Sequence, residues 1–287
     1  MHMHTCILAH VHTRTRAYSR AHTHKSDGTH WFISGLLVAV LLQGLKEACE
    51  GKKVFLVAAT LRAETMYGQT NCWVSPSITY VVWRYYRKPT EQGAAEPTDE
   101  LFVTTRRAAR NMAYQDMTRA EGDVEIVAEV NGKDLMGLRI KAPMAKYEHV
   151  YTLPMKTIAE NKGTGIVTSV PSDAPADYAA LMDLKKDEKM RNKYGITPEM
   201  VEPFEPVPII STPELGDMAA VKACQDAKVK SQNDIKKLEE LKEVVYKQGF
   251  YNGTLMCGTY KGQPVQVSVS TNEREGGGGR EGKRVCV

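Results

Sequence analysis

The sequence predicts an α+β fold, a β-barrel-like body of short strands with peripheral helices. Apolar, β-branched runs of strand length recur through the interior, and only a few helical patterns interrupt them. No period of about 20 to 50 residues repeats, so a solenoid is excluded. At 287 residues, with 42% hydrophobic and 25% charged side chains, the chain reads as one or two ordinary globular domains.

Residues 1–44 stand apart. Seven histidines fall within the first thirty positions (His2, His4, His10, His12, His22, His24 and His30), interleaved with Thr and Arg. A repeated His-x-His pattern allows a metal-binding tract, whereas the scarcity of large apolar residues predicts disorder. The apolar run 31–45 is short for a membrane span and lies too far from the start for an ordinary signal peptide. A targeting segment is the alternative. Residues 268–287, rich in Gly, Arg and Glu, read as a flexible tail.

Between these ends, residues 45–267 form the candidate domain. Strands are expected at 54–59, 71–74, 79–84, 101–104, 124–130, 149–153, 165–170 and 258–267. Helices are expected as one turn at 65–68, then at 105–115, 174–194 with Gly195 as its stop, 218–227, and 234–248 ending at Gly249. Residues 91–99, rich in Gly, Pro and Ala, read as a loop.

The net charge of +4 resides in the ends. Residues 1–30 carry +3 and residues 271–287 carry +1, which leaves the interior neutral. Neutrality argues against a module that grips long nucleic acid by charge alone, but not against one that binds a tRNA end. Two basic runs, Arg106-Arg107-Arg110 and Lys185-Lys186 with Lys189, Arg191 and Lys193, read either as phosphate contacts or as solvated helix faces mixed with Asp183, Asp187 and Glu188. Cys6, Cys49, Cys72, Cys224, Cys257 and Cys286 include no Cys-x-x-Cys pair, so neither a disulfide frame nor a zinc site is expected.

Two segments carry the chemistry, TLRAETMYGQTN from Thr60 and GTGIVTSVPSDAPAD from Gly163. Val54 to Ala59 is continuously apolar, the pattern of a strand covered on both faces, so polar chemistry starts where it stops. Thr60, Thr65 and Thr70 recur every five residues around Arg62 and Glu64, giving short hydroxyls and one fixed cation. The same spacing fits a capped turn. In the second segment a strand bearing Thr168 and Ser169 leads to a helix with Asp173 as its cap and Pro175 in its first turn. Asp177 then lies near the positive helix pole, where unpaired N–H groups would keep a carboxylate ionised to hold an ammonium. A plain helix-stabilising acid is the alternative.

Read together, VFLVAATLRAETMYGQTNCWV, RRAARNMAYQ, LPMKTIAENKGTGIVTSVPSDAPADYAALMDLKK, KYGI, PFEPVPII and KSQND…KQGFYNGTL resemble the editing domain of eukaryotic-type cytosolic leucyl-tRNA synthetases. The resemblance runs from about Leu45 to about Val267. It implies hydrolysis of the ester joining a wrong amino acid to the terminal adenosine of leucine tRNA, in the cytoplasm. One methylene discriminates by only about 1–3 kcal/mol, so a second sieve is needed. The resemblance assigns Asp177 to the substrate α-ammonium, Thr60 to the ester or water, and Thr65 to steric exclusion of the leucyl group. It places Arg62, Glu64, Thr168 and Ser169 in substrate binding. It implies leucine tRNA as partner, no metal, and ATP only for a parent synthetase, whose His-Ile-Gly-His-like and Lys-Met-Ser-Lys-Ser-like strings do not occur here. Ala63 replaces the family's usual proline, which frees the turn before Thr65. The family's strand upstream of the threonine segment is expected to be missing, leaving an open sheet edge. A tRNA-binding module without turnover and a truncated, unstable product are the alternative readings.

Overall fold

The computed structural model describes residues 19–23, 30–38, 49, 51–87 and 94–266. Most of the histidine tract and all of the C-terminal tail lie outside the described residues.

A ten-stranded sheet organises the molecule. Its strands are β1 (Ser19–Thr23), β2 (His30–Val38), β3 (Lys53–Thr60), β4 (Asn71–Val74), β5 (Thr79–Arg87), β6 (Glu96–Thr105), β7 (Ile126–Asn131), β8 (Arg139–Lys141), β9 (Val150–Pro154) and β10 (Ile166–Ser169). They run in the order β10-β4-β9-β8-β2-β3-β6-β5-β7, with β1 paired to β2. The β3–β6 and β4–β9 pairs are parallel and the other pairs antiparallel. The path curls back on itself, because the entry to β10 docks on the far half of the sheet. There Thr105 N–H donates to Thr164 O at 2.9 Å and Tyr80 Oη to Gly165 O at 2.7 Å.

Strand β3 shows why its sequence is continuously apolar. Val54 and Leu56 face the interior of the curled sheet with Val74, Val82, Ile140 and Ile166. Phe55 and Val57 face the opposite way, toward Trp83, Ala109 and Met112. Ala109 and Met112 belong to α1 (Arg106–Ala113), which Thr105 caps by accepting from Ala108 N–H. On a third face α2 (Pro175–Lys186) lays Ala180, Leu181 and Leu184 against Trp73 and Leu153. The remaining helices are α3 (Glu188–Lys193), α4 (Ala219–Asp226) and α5 (Ile235–Asn252). The short pair β11 (Ile210–Ser211) and β12 (Thr254–Leu255) stands beside the main sheet.

Several expectations need correction. The edge expected to lie open is covered, because β2 pairs antiparallel with β3 in the register Leu36 to Leu56. β2 arises from the apolar run at 31–45, of which residues 39–45 lie outside the described residues. The single helix expected at 174–194 is two, broken where Asp187 turns extended and its side chain accepts from Met190 N–H to start α3. Gly195, with φ of +66°, ends α3 as expected. Gly249 does not end α5, which continues to Asn252. The strand expected at 258–267 is a series of turns over its described part, and the strand lies earlier, in β12. The loop expected at 91–99 gives way to β6 from Glu96 onward. Asp173 does not cap α2, because Ala174 occupies the cap position without a side-chain bond.

Gly165 makes the curl possible. Its φ is +77°, and a Cβ there would sit 2.4 Å from Thr105 Cγ2 and 3.1 Å from Tyr80. Gly165→Ala combines left-handed backbone strain with overpacking, and we expect a loss of roughly 2–5 kcal/mol in urea unfolding. A loss below about 1 kcal/mol would show that the β10 docking is soft.

Candidate active site

The two polar segments meet because β4 and β10 pair. Asn71 lies opposite Ser169, and Thr70 N–H donates to Ser169 O at 3.1 Å. The threonine segment leaves β3 at Thr60 and makes a 3₁₀ turn over Ala63–Gly68 before entering β4. The second segment leaves β10 at Ser169 and enters α2 through Ser172 and Asp173.

Each hydroxyl of the turn has a structural partner. Thr60 Oγ1 accepts from Arg62 N–H at 3.0 Å, and Thr65 Oγ1 donates to Arg62 O at 2.7 Å. Thr60 is half-buried and Thr65 buried. Arg62 sits between them, its Nε donating to Glu64 Oε1 at 3.0 Å. Its guanidinium lies 4.9 Å from the ring centre of Tyr246, and its Nη2 is buried with no hydrogen-bond partner. Thr168 is half-buried on β10 opposite Cys72. Glu64 and Ser169 are buried, so they support the wall of the site from behind; Thr70 Oγ1 reaches Ser169 Oγ at 3.4 Å.

Asp177 lies in the first turn of α2 as expected, but the helix N–H groups are not what holds it. Its Oδ1 accepts from Trp73 Nε1 at 2.9 Å and its Oδ2 from Val170 N–H at 2.8 Å. The donors that hold it come from β4 and the end of β10, not from the helix terminus. Burial pushes its carboxyl up to about 6, against the pull of these two donors and of the Lys242 ammonium. Asp173 is also buried and accepts from Ser172 Oγ at 2.6 Å. Burial pushes it up to about 6 as well, with Arg62 drawing it down and Glu64 pushing it further up. Tyr246 is raised to about 12, by burial first and then by the Asp177 charge.

Asp177, Thr60, Arg62, Glu64, Thr65, Thr168 and Ser169 thus belong to one region, built on the β4–β10 pair and the mouth of α2. The sequence reading missed Trp73 and Tyr246. Trp73 is one apolar letter inside a strand, and Tyr246 lies on a helix far along the chain, so neither carries a local signal. Among the described residues, no group of three or more His, Cys, Asp or Glu is arranged to hold a metal ion, and no helix is long and apolar enough to cross a membrane. Cys49, Cys72, Cys224 and Cys257 are free thiols.

No protein-family model matches the chain. Among solved structures it is similar to the crystal structure of GlLeuRS-CP1, with 33% identity and a TM-score of 0.73 over 84% of this chain and 94% of that one. The chain belongs to the leucyl-tRNA synthetase editing-domain family. The cytosolic leucyl-tRNA synthetase editing domain of P. knowlesi is also similar, with 26% identity and a TM-score of 0.75 over 85% of this chain and 92% of that one. Curated relatives include the cytoplasmic leucine–tRNA ligase of Pongo abelii, 49% identical over 234 residues, and that of Arabidopsis thaliana, 50% identical over 218. These alignments cover 82% and 76% of this chain, which spans about a fifth of the relatives' length (19% of each).

The two buried acids of this editing domain make its stability depend on pH. Both hold a proton more tightly folded than unfolded, where a carboxyl returns to about 3.8. Their contribution is therefore full below about pH 4 and is lost as pH rises through about 6. Asp173→Asn removes one of these acids. In urea unfolding from pH 4 to 8, the variant should gain on the parent by on the order of 1–3 kcal/mol, with the gain complete by pH 7. A difference that does not change with pH would refute the assignment.

Proposed function

We infer that this chain hydrolyses the ester of mischarged leucine tRNA, as the editing domain of a cytoplasmic leucyl-tRNA synthetase. The observation that carries this reading is the junction of the threonine turn with a buried, doubly anchored Asp177. An ionised carboxylate offers about four lone-pair sites, of which the fold uses two. The others are available to the substrate α-ammonium, and above pH 6 the group is mostly charged.

Around that anchor, Thr60 at the end of β3 orients the ester or the attacking water. Thr65 gives its hydroxyl to Arg62 O, so its methyl is left to exclude the leucyl side chain. Arg62 and Thr168 position the terminal nucleotide, while Glu64 and Ser169 fix Arg62 and Thr70 in place. No side chain in the region suits a general base. Hydrolysis then depends on positioning and charge complementarity, with bound water and the free ribose hydroxyl supplying proton transfer. No cofactor is required for this step; ATP serves only the ligase reaction of a parent synthetase.

The test uses the purified 287-residue chain and leucine tRNA charged with isoleucine or valine. Release of the amino acid should exceed the uncatalysed rate. Asp177→Ala should lower kcat/KM by at least about 100-fold, equivalent to about 2.7 kcal/mol. Thr65→Ala should begin to release leucine from correctly charged tRNA. Binding of tRNA with equal background release from parent and Asp177→Ala would replace this reading with a non-catalytic tRNA module.

A further inference from the structure

The other end of β4 is also open to solvent. It exits at Val74 into a turn through Pro76 and Ser77, and a cleft of about 670 Å³ opens there. Ser77, Lys133, Asp134, Lys156, Lys193 and Tyr194 contribute to its lining. The three lysines come from separate parts of the chain. Lys133 lies in the 3₁₀ helix Gly132–Leu135, Lys156 follows β9, and Lys193 ends α3.

Rigid backbone sets their spacing. Gly132 packs so closely that a Cβ there would lie 1.8 Å from Ser75 O, and its N–H donates to Ile78 O at 2.8 Å. Lys156 follows Met155, whose N–H donates to Val74 O at 3.0 Å, so the parallel strands β4 and β9 deliver their exits to the same place. Lys193 Nζ lies 5.6 Å from the ring centre of Tyr194.

The three lysine charges also outnumber the cleft's one carboxylate, Asp134. Elsewhere Arg62, Arg84, Arg106, Lys185 and Lys222 pair with carboxylates, and Arg191 is buried against the carbonyls of Leu184 and Lys185. Both basic runs singled out in the sequence are therefore partly spent within the fold. Lys133, Lys156 and Lys193 are exposed, and none forms an ion pair among the described residues. Three separate ammonium groups with the hydroxyls of Ser77 and Tyr194 suit sequence-independent contact with successive phosphates.

We propose that this cleft binds the phosphodiester backbone of the tRNA whose charged end occupies the active site. The proposal rests on the function inferred above. The path from Thr70 to Pro76, of which Asn71–Val74 is strand, spans at most roughly 20 Å at about 3.3 Å per residue. That is no more than roughly six stacked nucleotides at about 3.4 Å each, so one RNA can reach both places.

The experiment compares the 287-residue chain with Lys133→Gln/Lys156→Gln/Lys193→Gln, measuring tRNA affinity against salt. The triple variant should bind more weakly, and the slope of log affinity against log salt should fall by about two to three. Hydrolysis of isoleucyl-adenosine ester, which lacks the tRNA body, should be unchanged. Asp134→Asn removes the carboxylate in the cleft and should tighten tRNA binding, a gain that misfolding cannot produce. Unchanged affinity and slope in the triple variant, or no tightening in Asp134→Asn, overturns the proposal. Failure of the functional reading appears separately, as the parent chain releasing amino acid from neither substrate while the lysine dependence of tRNA binding is still measured.

Discussion

The site depends on one carboxylate held by two donors from different elements. Asp177 sits in the first turn of α2, Trp73 in β4, and Val170 at the exit of β10. Hydrogen bonds to an ionised acceptor are about twice as strong as neutral ones, and these two bind the helix mouth to the two strands that carry the polar segments. They also satisfy the Trp73 indole and the Val170 N–H, which would otherwise be buried without partners at a cost of about 1–3 kcal/mol each. Fold and site therefore share one side chain. The bonds that dock α2 also fix the rotamer of the carboxylate at the centre of the candidate site.

The electrostatics of the region follow from how few cations accompany its acids. Glu64, Asp173 and Asp177 are all buried, while Arg62 is the cation in direct contact with the turn. Glu64 takes its Nε, the Tyr246 ring covers its face, and one terminal nitrogen has no acceptor. Burial raises Asp173 and Asp177 toward neutrality, yet both lie below pH 7 at about 6. A surplus of negative charge then exists near pH 7 in a place poorly screened by water, which is the electrostatic setting that the proposed ammonium site requires.

How much of this was legible in the sequence divides along physical lines. Strands β3 and β4 and the one-turn helix between them follow from local pattern, because burial on both faces writes a continuous apolar run and a polar turn interrupts it. The partner of β3 was not legible, since β2 lies in an apolar run behind a histidine-rich stretch that resembles nothing structured. The α2–α3 break was missed because Asp187 marks it through a side-chain bond to Met190 N–H, and no Gly or Pro stands there. In the site, the sequence placed Asp177 in the first turn of its helix but could not show what holds it. A bond between residues 104 positions apart leaves no trace in spacing. Asp173 had the position expected of a cap, yet the neighbouring Ser172 hydroxyl and burial took its carboxylate elsewhere.

Gly249 joins one of these errors to the chemistry. A glycine inside a helix costs about 1 kcal/mol relative to alanine, and in sequence it reads as a stop. α5 nevertheless runs through it, and Gly249 is buried against the guanidinium of Arg62. A Cβ at that position would stand 3.4 Å from Nη2, at the near limit of ordinary contact. Three residues earlier, Tyr246 lies on the same helix face and offers its ring to the same cation. A side chain at 249 would therefore fit in ordinary contact, so it is the ring at 246, and not the absent Cβ, that seats the guanidinium. What joins α5 to the threonine turn is thus the Tyr246 ring against the cation that pairs with Glu64, and the helical cost of Gly249 is borne by the packing of α5 as a whole.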